Sequence, residues 1–247
     1  MKELKILYLY PDLLELYGDF GNIQVLKYRL EQRGINATIV PYSIGDNAPN
    51  FNDYDIVFAG GGADQEQGIL SEDLMKYKDN IKEAISNGVF FLLICGSYQL
   101  FGKYYKGVEG NIIPGLEIFD YYTEAINDRK NRCIGNIVIN VNLNGKETKV
   151  IGFENHGGQT FNVNTPFGDV LFGNGNKFDD TKEGFFLDNV IATYLHGPLL
   201  SKNPELADYI IKYCLGRKYN ENIILKPLND EFENKCREQL LNRFLTN

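Results

Sequence analysis

The sequence predicts an α/β fold: a mixed, mostly parallel sheet flanked by helices. Three observations carry that expectation. The runs Lys5–Tyr10, Tyr54–Ala59 and Val89–Ile94 are rich in aliphatic, β-branched and aromatic residues, and the last two lack a polar face, as strands buried on both sides of a parallel sheet do. Segments with apolar residues at helical spacing lie between them, which is β-α-β-α alternation. The second half then changes to hairpin signals, so antiparallel strands should join the sheet.

Strand one is Lys5–Tyr10, followed by the Leu-, Tyr- and Gly-rich loop Asp12–Phe20. Asn22 is placed to cap a helix carrying Ile23, Leu26 and Leu30, which Gly34 stops. Strand two, Ala37–Val40, ends at Pro41, and Asp46–Asn52 is polar and turn-rich. Strand three, Tyr54–Ala59, runs into Gly60-Gly61-Gly62. Leu70, Leu74, Tyr77, Ile81 and Ala84 then mark one helix to about Gly88. Strand four delivers Cys95, after which Phe101, Tyr104 and Tyr105 continue from Tyr98 at helical spacing. Leu116–Tyr122 and Cys133–Leu143 read as strands, with Asn144-Gly145 as a two-residue hairpin turn and Lys149–Glu154 returning. Leu171-Phe172, Gly184–Leu187 and Val190–Leu195 are further strands, and Asn203-Pro204 opens a helix to about Cys214. A last helix, capped at Asn229-Asp230-Glu231, carries the stripe Phe232, Cys236, Leu240 and Phe244, which reads as core cover rather than a partner surface. Residues 1–218 form one domain on this reading, and 219–247 a C-terminal helical extension packed on it or on a partner.

With 247 residues and 43% hydrophobic composition, the chain has ample material for a core. Its net charge of −8, with no basic cluster longer than Asp128–Arg132, argues against nucleic-acid binding. No apolar run approaches the ~20 residues that span a bilayer. Met1–Lys5 leads only into a short apolar strand, which is not a secretory signal. Cys95, Cys133, Cys214 and Cys236 are widely spaced with no C-x-x-C pair, as in a reduced, cytoplasmic protein without a metal site.

Cys95 ends a buried strand and begins a helix, with Gly96 and Ser97 leaving room for a sharp turn. Such a turn lifts the side chain and sets free helix-start N–H groups beside an anionic sulfur. The competing reading is a buried core cysteine. Three consecutive glycines after strand three let backbone amides converge on an anion, either as an oxyanion hole with the Gly96 N–H or as a plain flexible turn. No Gly-Lys-Ser/Thr ending and no G-x-G-x-x-G pattern supports a nucleotide loop. The only two histidines, His156 and His196, follow strands, as Cys95 does. A cysteine and a histidine in such positions suit thiolate–imidazole catalysis. A group to orient His196 is not evident in the sequence; Glu154 and Asp19 are both candidates.

Together these segments resemble class I glutamine amidotransferases. Ile94–Gln99, Gly152–His156 and Tyr194–Pro198 are similar to the cobyric-acid-synthase-like branch. Nearly the whole chain, including Tyr17–Asn22, Gly60–Gln67 and Phe119–Glu124, resembles the glutaminase subunits of lipid II isoglutaminyl synthases. The resemblance implies a flavodoxin-like sheet, Cys95 as nucleophile and His196 as general base and acid. It implies Gly61 and Gly96 as the oxyanion hole. Arg132 would hold the glutamine α-carboxylate, with Arg129 as rival, and Gln99, Gly62, Asn155 and His156 would line the substrate. A guanidinium fork suits a carboxylate better than lysine does. No cofactor is implied in this chain. ATP and metal would belong to a Mur-ligase-like partner of the MurT type, which would receive ammonia and amidate D-glutamate of lipid II in peptidoglycan synthesis. Departures are Leu93 and Ser97, where many relatives carry glycine, and Pro198, where many carry glutamate. A glutaminase for cobyrinate-type amidation, a cysteine hydrolase of the same fold and an inactive scaffold subunit are the alternatives.

Overall fold

A computed structural model describes residues 2–246, apart from the side chains of Asp64, Gln65 and Arg129. The central sheet has six strands in the order Phe185–Leu187, Val190–Thr193, Phe90–Ile94, Ile56–Ala59, Glu3–Leu9, Asn36–Tyr42. Every neighbouring pair is parallel except the first, where Phe185–Leu187 adds an antiparallel edge. Ile56–Ala59, Phe90–Ile94 and Val190–Thr193 are buried at every residue, which is why they read as unbroken apolar runs. The chain therefore has the mixed, mostly parallel α/β fold expected.

The remaining strands do not extend this sheet. They form two separate four-stranded sheets, one of them entirely antiparallel and built on the hairpin Cys133–Leu143 and Lys146–His156. The hairpin strands pair with each other from end to end, and Phe153 of the second strand forms an isolated antiparallel bridge with His196. Their turn is the one expected, with Asn144 and Gly145 at φ 54° and 85°.

Five local expectations are corrected. Asn22 lies inside the helix Phe20–Glu31 rather than capping it; its side chain donates to Asp19 O (3.0 Å) and accepts from Leu200 N–H (2.9 Å). Pro41 does not end its strand, because Asn36–Tyr42 is the outer strand, where a missing N–H costs no ladder bond. The long helix divides into Asp64–Met75 and Lys78–Ser86, since Tyr77 leaves helical geometry and bonds the Tyr42 hydroxyl (2.7 Å). The helix after Cys95 stops at Phe101, and Tyr104–Lys106 is a strand. Leu116–Phe119 are not a strand; their N–H groups donate to the carbonyls of Leu100, Phe101 and Gly102, and so satisfy the end of that helix.

The C-terminal helix Glu231–Leu245 contains no buried residue, contrary to the core-cover reading of its stripe. Phe232 is 84% exposed, whereas Phe244 stacks on Phe172 at 5.0 Å. Its start is pinned by Arg29, which forks onto Asp208 (2.7 and 2.8 Å) and Asp230 (2.6 and 3.0 Å).

Register decides where the site forms. Leu9 pairs with Ala59, Ala59 with Leu93, and Thr193 with Ile94, so the four inner strands end side by side. The loops that leave them, around residues 10–19, 60–63, 95 and 194–196, meet beyond one edge, where open α/β sheets bind ligands.

Candidate active site

Cys95 sits at the strand-to-helix corner with φ 53° and ψ −102°, a left-handed strain that a non-glycine residue keeps only when its surroundings impose it. Its N–H donates to Thr193 O (2.8 Å), which ties the corner to the strand leading to His196. Ser97 does not crowd this bend. Its hydroxyl donates between Ala59 O (2.8 Å) and Ile94 O (3.0 Å), joining the corner to both neighbouring strand ends.

His196 is fully buried, and its backbone pairs with Phe153 in both directions (2.8 and 3.1 Å). Its Nδ1 lies 3.1 Å from both oxygens of the buried Asp19 carboxylate. A carboxylate only accepts, so Nδ1 carries the proton and Nε2 is left for the sulfur side. Among the described residues, the buried Nε2 meets no hydrogen-bond partner. Burial lowers the pKa of His196, but the charge of Cys95 and the Asp19 hydrogen bond outweigh it and push it up to about 10. A Cβ on Gly61 would lie 2.7 Å from His196 Cε1 and 3.4 Å from Cys95 Cβ, so only glycine lets the ring and the cysteine converge there. Of the two candidate orienting carboxylates, Asp19 holds His196. Glu154 instead accepts from Asn174 N and Nδ2 (both 2.8 Å) and from Gly175 N (3.1 Å).

Gly61 needs a correction. Its N–H is already donated to Asp19 Oδ2 at 2.8 Å, which removes it from any oxyanion hole. Gly62 N lies 3.0 Å from where a Gly96 Cβ would stand, so Gly62 and Gly96 are the glycines whose backbones meet beside Cys95.

Cys95 opens onto a cavity of about 580 Å³ lined by Tyr17, Gly62, Gln67, Gln99, Arg132, Asn155, His156 and Gly158 among others. Arg132 is exposed at its rim, donates to Asn155 Oδ1 from Nε (3.3 Å) and Nη2 (3.1 Å), and has no acidic partner among the described residues. The Arg129 side chain, its rival, lies outside the described residues. Gln99 lines the cavity with a protein partner at each end of its amide. Its Oε1 accepts from Gln67 (3.0 Å) and its Nε2 donates to Tyr194 OH (3.2 Å), so it stiffens the wall. His156 bonds Gly158 O through Nδ1 (2.7 Å) and stacks on Tyr194 at 3.6 Å, while its buried Nε2 meets no hydrogen-bond partner among the described residues.

Under the site, fully buried Glu183 accepts from Thr193 Oγ1 (2.9 Å to each oxygen) and from Tyr194 N–H (2.7 Å), which braces the strand end before His196. Burial pushes its pKa up to about 8, against these hydrogen bonds. A carboxyl raised from 4.5 to about 8 is neutral in the folded chain while the unfolded chain ionises, so stability falls as pH climbs through that window. Glu183→Gln should therefore flatten the decline of melting temperature between those two pH values; an unchanged decline would assign it to other groups.

One group among the described residues has metal-ligand chemistry: Cys133, Glu154 and His156, all buried, with ligand atoms within 4.8 Å of one another. Burial and the charge of Glu154 push the Cys133 thiol up to about 12, so it keeps its proton unless a cation displaces it. The sequence missed Tyr17, Gln67 and Tyr194; the signal for Tyr17 was a polar, aromatic turn at the carboxyl end of a parallel strand.

The family model described as the CobB/CobQ-like glutamine amidotransferase domain matches residues 5–204. The chain is 40% identical over 245 residues to the lipid II isoglutaminyl synthase (glutamine-hydrolysing) subunit GatD of Staphylococcus aureus, covering 98% of this chain and 97% of that one. It is 41% identical over 239 residues to the subunit of the same name from Streptococcus pneumoniae, with 96% and 90% covered. A probable cobyric acid synthase of Methanocaldococcus jannaschii is 33% identical over 167 residues, 64% of this chain and 32% of that one. Among solved structures, PurLQS from Thermotoga maritima aligns with TM-score 0.56 at 15% identity, covering 90% of this chain and 100% of that one. A glutamine amidotransferase crystal structure aligns with TM-score 0.53, also at 15% identity, covering 84% and 98%. At that identity the likeness concerns the fold. Among the described residues no helix is long and apolar enough to cross a membrane.

Proposed function

This chain belongs to the CobB/CobQ-like glutamine amidotransferase family, and from that premise we propose that Cys95, His196 and Asp19 hydrolyse L-glutamine for a synthetase partner. The observation that carries the proposal is the meeting of a strained cysteine corner with a histidine whose tautomer Asp19 fixes. Cys95 Sγ attacks the side-chain amide carbon, and the developing oxyanion is received by the N–H groups of Gly62 and Gly96. The carbon–nitrogen bond then breaks as protonated His196 gives its proton to the departing nitrogen, so ammonia leaves neutral. Water attacks the thioester while His196 takes a proton, the carbon–sulfur bond breaks, and glutamate is released. Arg132, bonded by Asn155 and by no described carboxylate, holds the substrate α-carboxylate at the outer end of the cavity.

The near full-length match to two lipid II isoglutaminyl synthase subunits supports a narrower reading, whereas the cobyric acid synthase match covers 64% of this chain. In that reading the ammonia passes to a cytoplasmic Mur-ligase-like subunit of the MurT type. That subunit binds ATP and metal and amidates D-glutamate of lipid II. The test supplies the complex with glutamine labelled with heavy nitrogen in its amide, in excess unlabelled ammonium. Label retained undiluted in amidated lipid II is expected. Dilution by the ammonium pool would sink direct delivery, and no glutamate release would sink the glutaminase reading itself.

A further inference from the structure

We propose that Tyr17 is a positioning residue that couples the carboxylate-binding end of the cavity to His196, so that catalysis is efficient only on substrates whose backbone carboxylate is held. The inference rests on the glutaminase reading above and deepens it.

Tyr17 stands at the cavity wall, 46% exposed, with φ 54°. A tyrosine in left-handed backbone is strained, and such strain persists where neighbouring contacts impose it. Here Leu16 N–H donates to Gly61 O (3.2 Å) and Asp19 N–H to Leu16 O (3.2 Å), which hold the turn on both sides. The Tyr17 ring meets His196 edge-on, with centroids 4.9 Å apart. Its hydroxyl accepts from Asn155 Nδ2. Asn155 Oδ1 in turn accepts from Arg132 Nε and Nη2. An unbroken line of contacts therefore runs from Arg132 through Asn155 and Tyr17 to His196. The turn that carries Tyr17 also carries Asp19, which fixes the imidazole from its other side.

The orientation of Asn155 is set by its two neighbours. Its carbonyl can face Arg132 only while its NH₂ faces an acceptor, and Tyr17 OH is that acceptor. Arg132 is exposed and long, so holding it in one rotamer costs conformational entropy. Asn155 occupies the Nε side of the guanidinium, while Nη1 reaches to 3.2 Å from the Cβ position of Gly157 and stays open to a carboxylate. A carboxylate bound there immobilises the guanidinium, which fixes Asn155 and then Tyr17, whose ring edge limits the tilt of His196.

Tyr17→Phe keeps the ring and removes only the hydroxyl. The parent and variant are compared on glutamine and on γ-aminobutyramide, which is glutamine without its carboxylate, by glutaminase assay of the chain alone and with its partner subunit. Roughly a five- to tenfold fall in kcat/KM is expected on glutamine, the scale of one lost hydrogen bond, with no change on γ-aminobutyramide. An equal fall on both substrates, or none on either, overturns the coupling. Combining Tyr17→Phe with Asn155→Ala should cost no more than the worse single variant, and additive losses would also overturn it. Arg132→Ala separates the two readings: it should erase the preference for glutamine over γ-aminobutyramide. If that preference survives, the carboxylate assignment fails whatever Tyr17 does.

Discussion

Cys95→Ala is expected to lower glutamate release by about four to six orders of magnitude, the scale seen when a covalent nucleophile is lost. No other thiol can substitute. Burial pushes Cys214 well above its ordinary value and Cys133 up to about 12, so both stay protonated. Cys236 lies exposed on the C-terminal helix, where no residue is buried. Alanine removes only the sulfur and leaves the Cys95 N–H bond to Thr193 O in place, so the corner should hold its shape and the melting temperature should change little. The measurement is glutamate release by the purified variant, alone and with its partner. Alkylation by a glutamine-like electrophile gives a second check, since labelling at Cys95 should outpace that at Cys236. Residual release within tenfold of the parent, or labelling no faster than at Cys236, would return Cys95 to an ordinary core cysteine.

How much of this was legible in the sequence depended on the range of the interaction. Buried strands announced themselves because a strand covered on both faces tolerates no polar position; Phe90–Ile94 is the clearest case. The hairpin turn was equally local, since Asn144 and Gly145 alone supply two positive φ angles. Cys95 and His196 could be picked out as residues ending apolar runs, and parallel pairing of those runs brings their ends together. What could not be read were contacts chosen by tertiary geometry. Asp19 and His196 are 177 positions apart, and nothing local distinguishes Asp19 from Glu154 as the orienting carboxylate. Gly61 was assigned by its place in a glycine run, but the competitor for its N–H comes from another loop. The helix break at Tyr77 is likewise a tertiary override, where a hydroxyl bond to Tyr42 outweighs good helical spacing.

Asp19→Asn carries the second large effect, roughly a thousand- to ten-thousand-fold loss in kcat by analogy with other carboxylate-oriented imidazoles. The native carboxylate receives two donors, His196 Nδ1–H and Gly61 N–H. An asparagine of the same shape has one carbonyl and one NH₂, so one of those donors must face another donor. If the amide turns its NH₂ to His196, the ring adopts the tautomer with Nε2 protonated, and it can no longer take a proton on the sulfur side. The charge balance moves the same way. His196 is raised from 6.5 to about 10, with burial opposing and Cys95 and Asp19 supporting, so its protonated form stabilises the fold fully below 6.5. That contribution fades as pH rises through about 10. Removing the Asp19 charge should shift that loss to lower pH, seen in the pH dependence of the melting temperature. A rate within threefold of the parent, with an unmoved profile, would mean that Asp19 serves only to bind Gly61 and that some other group sets the imidazole.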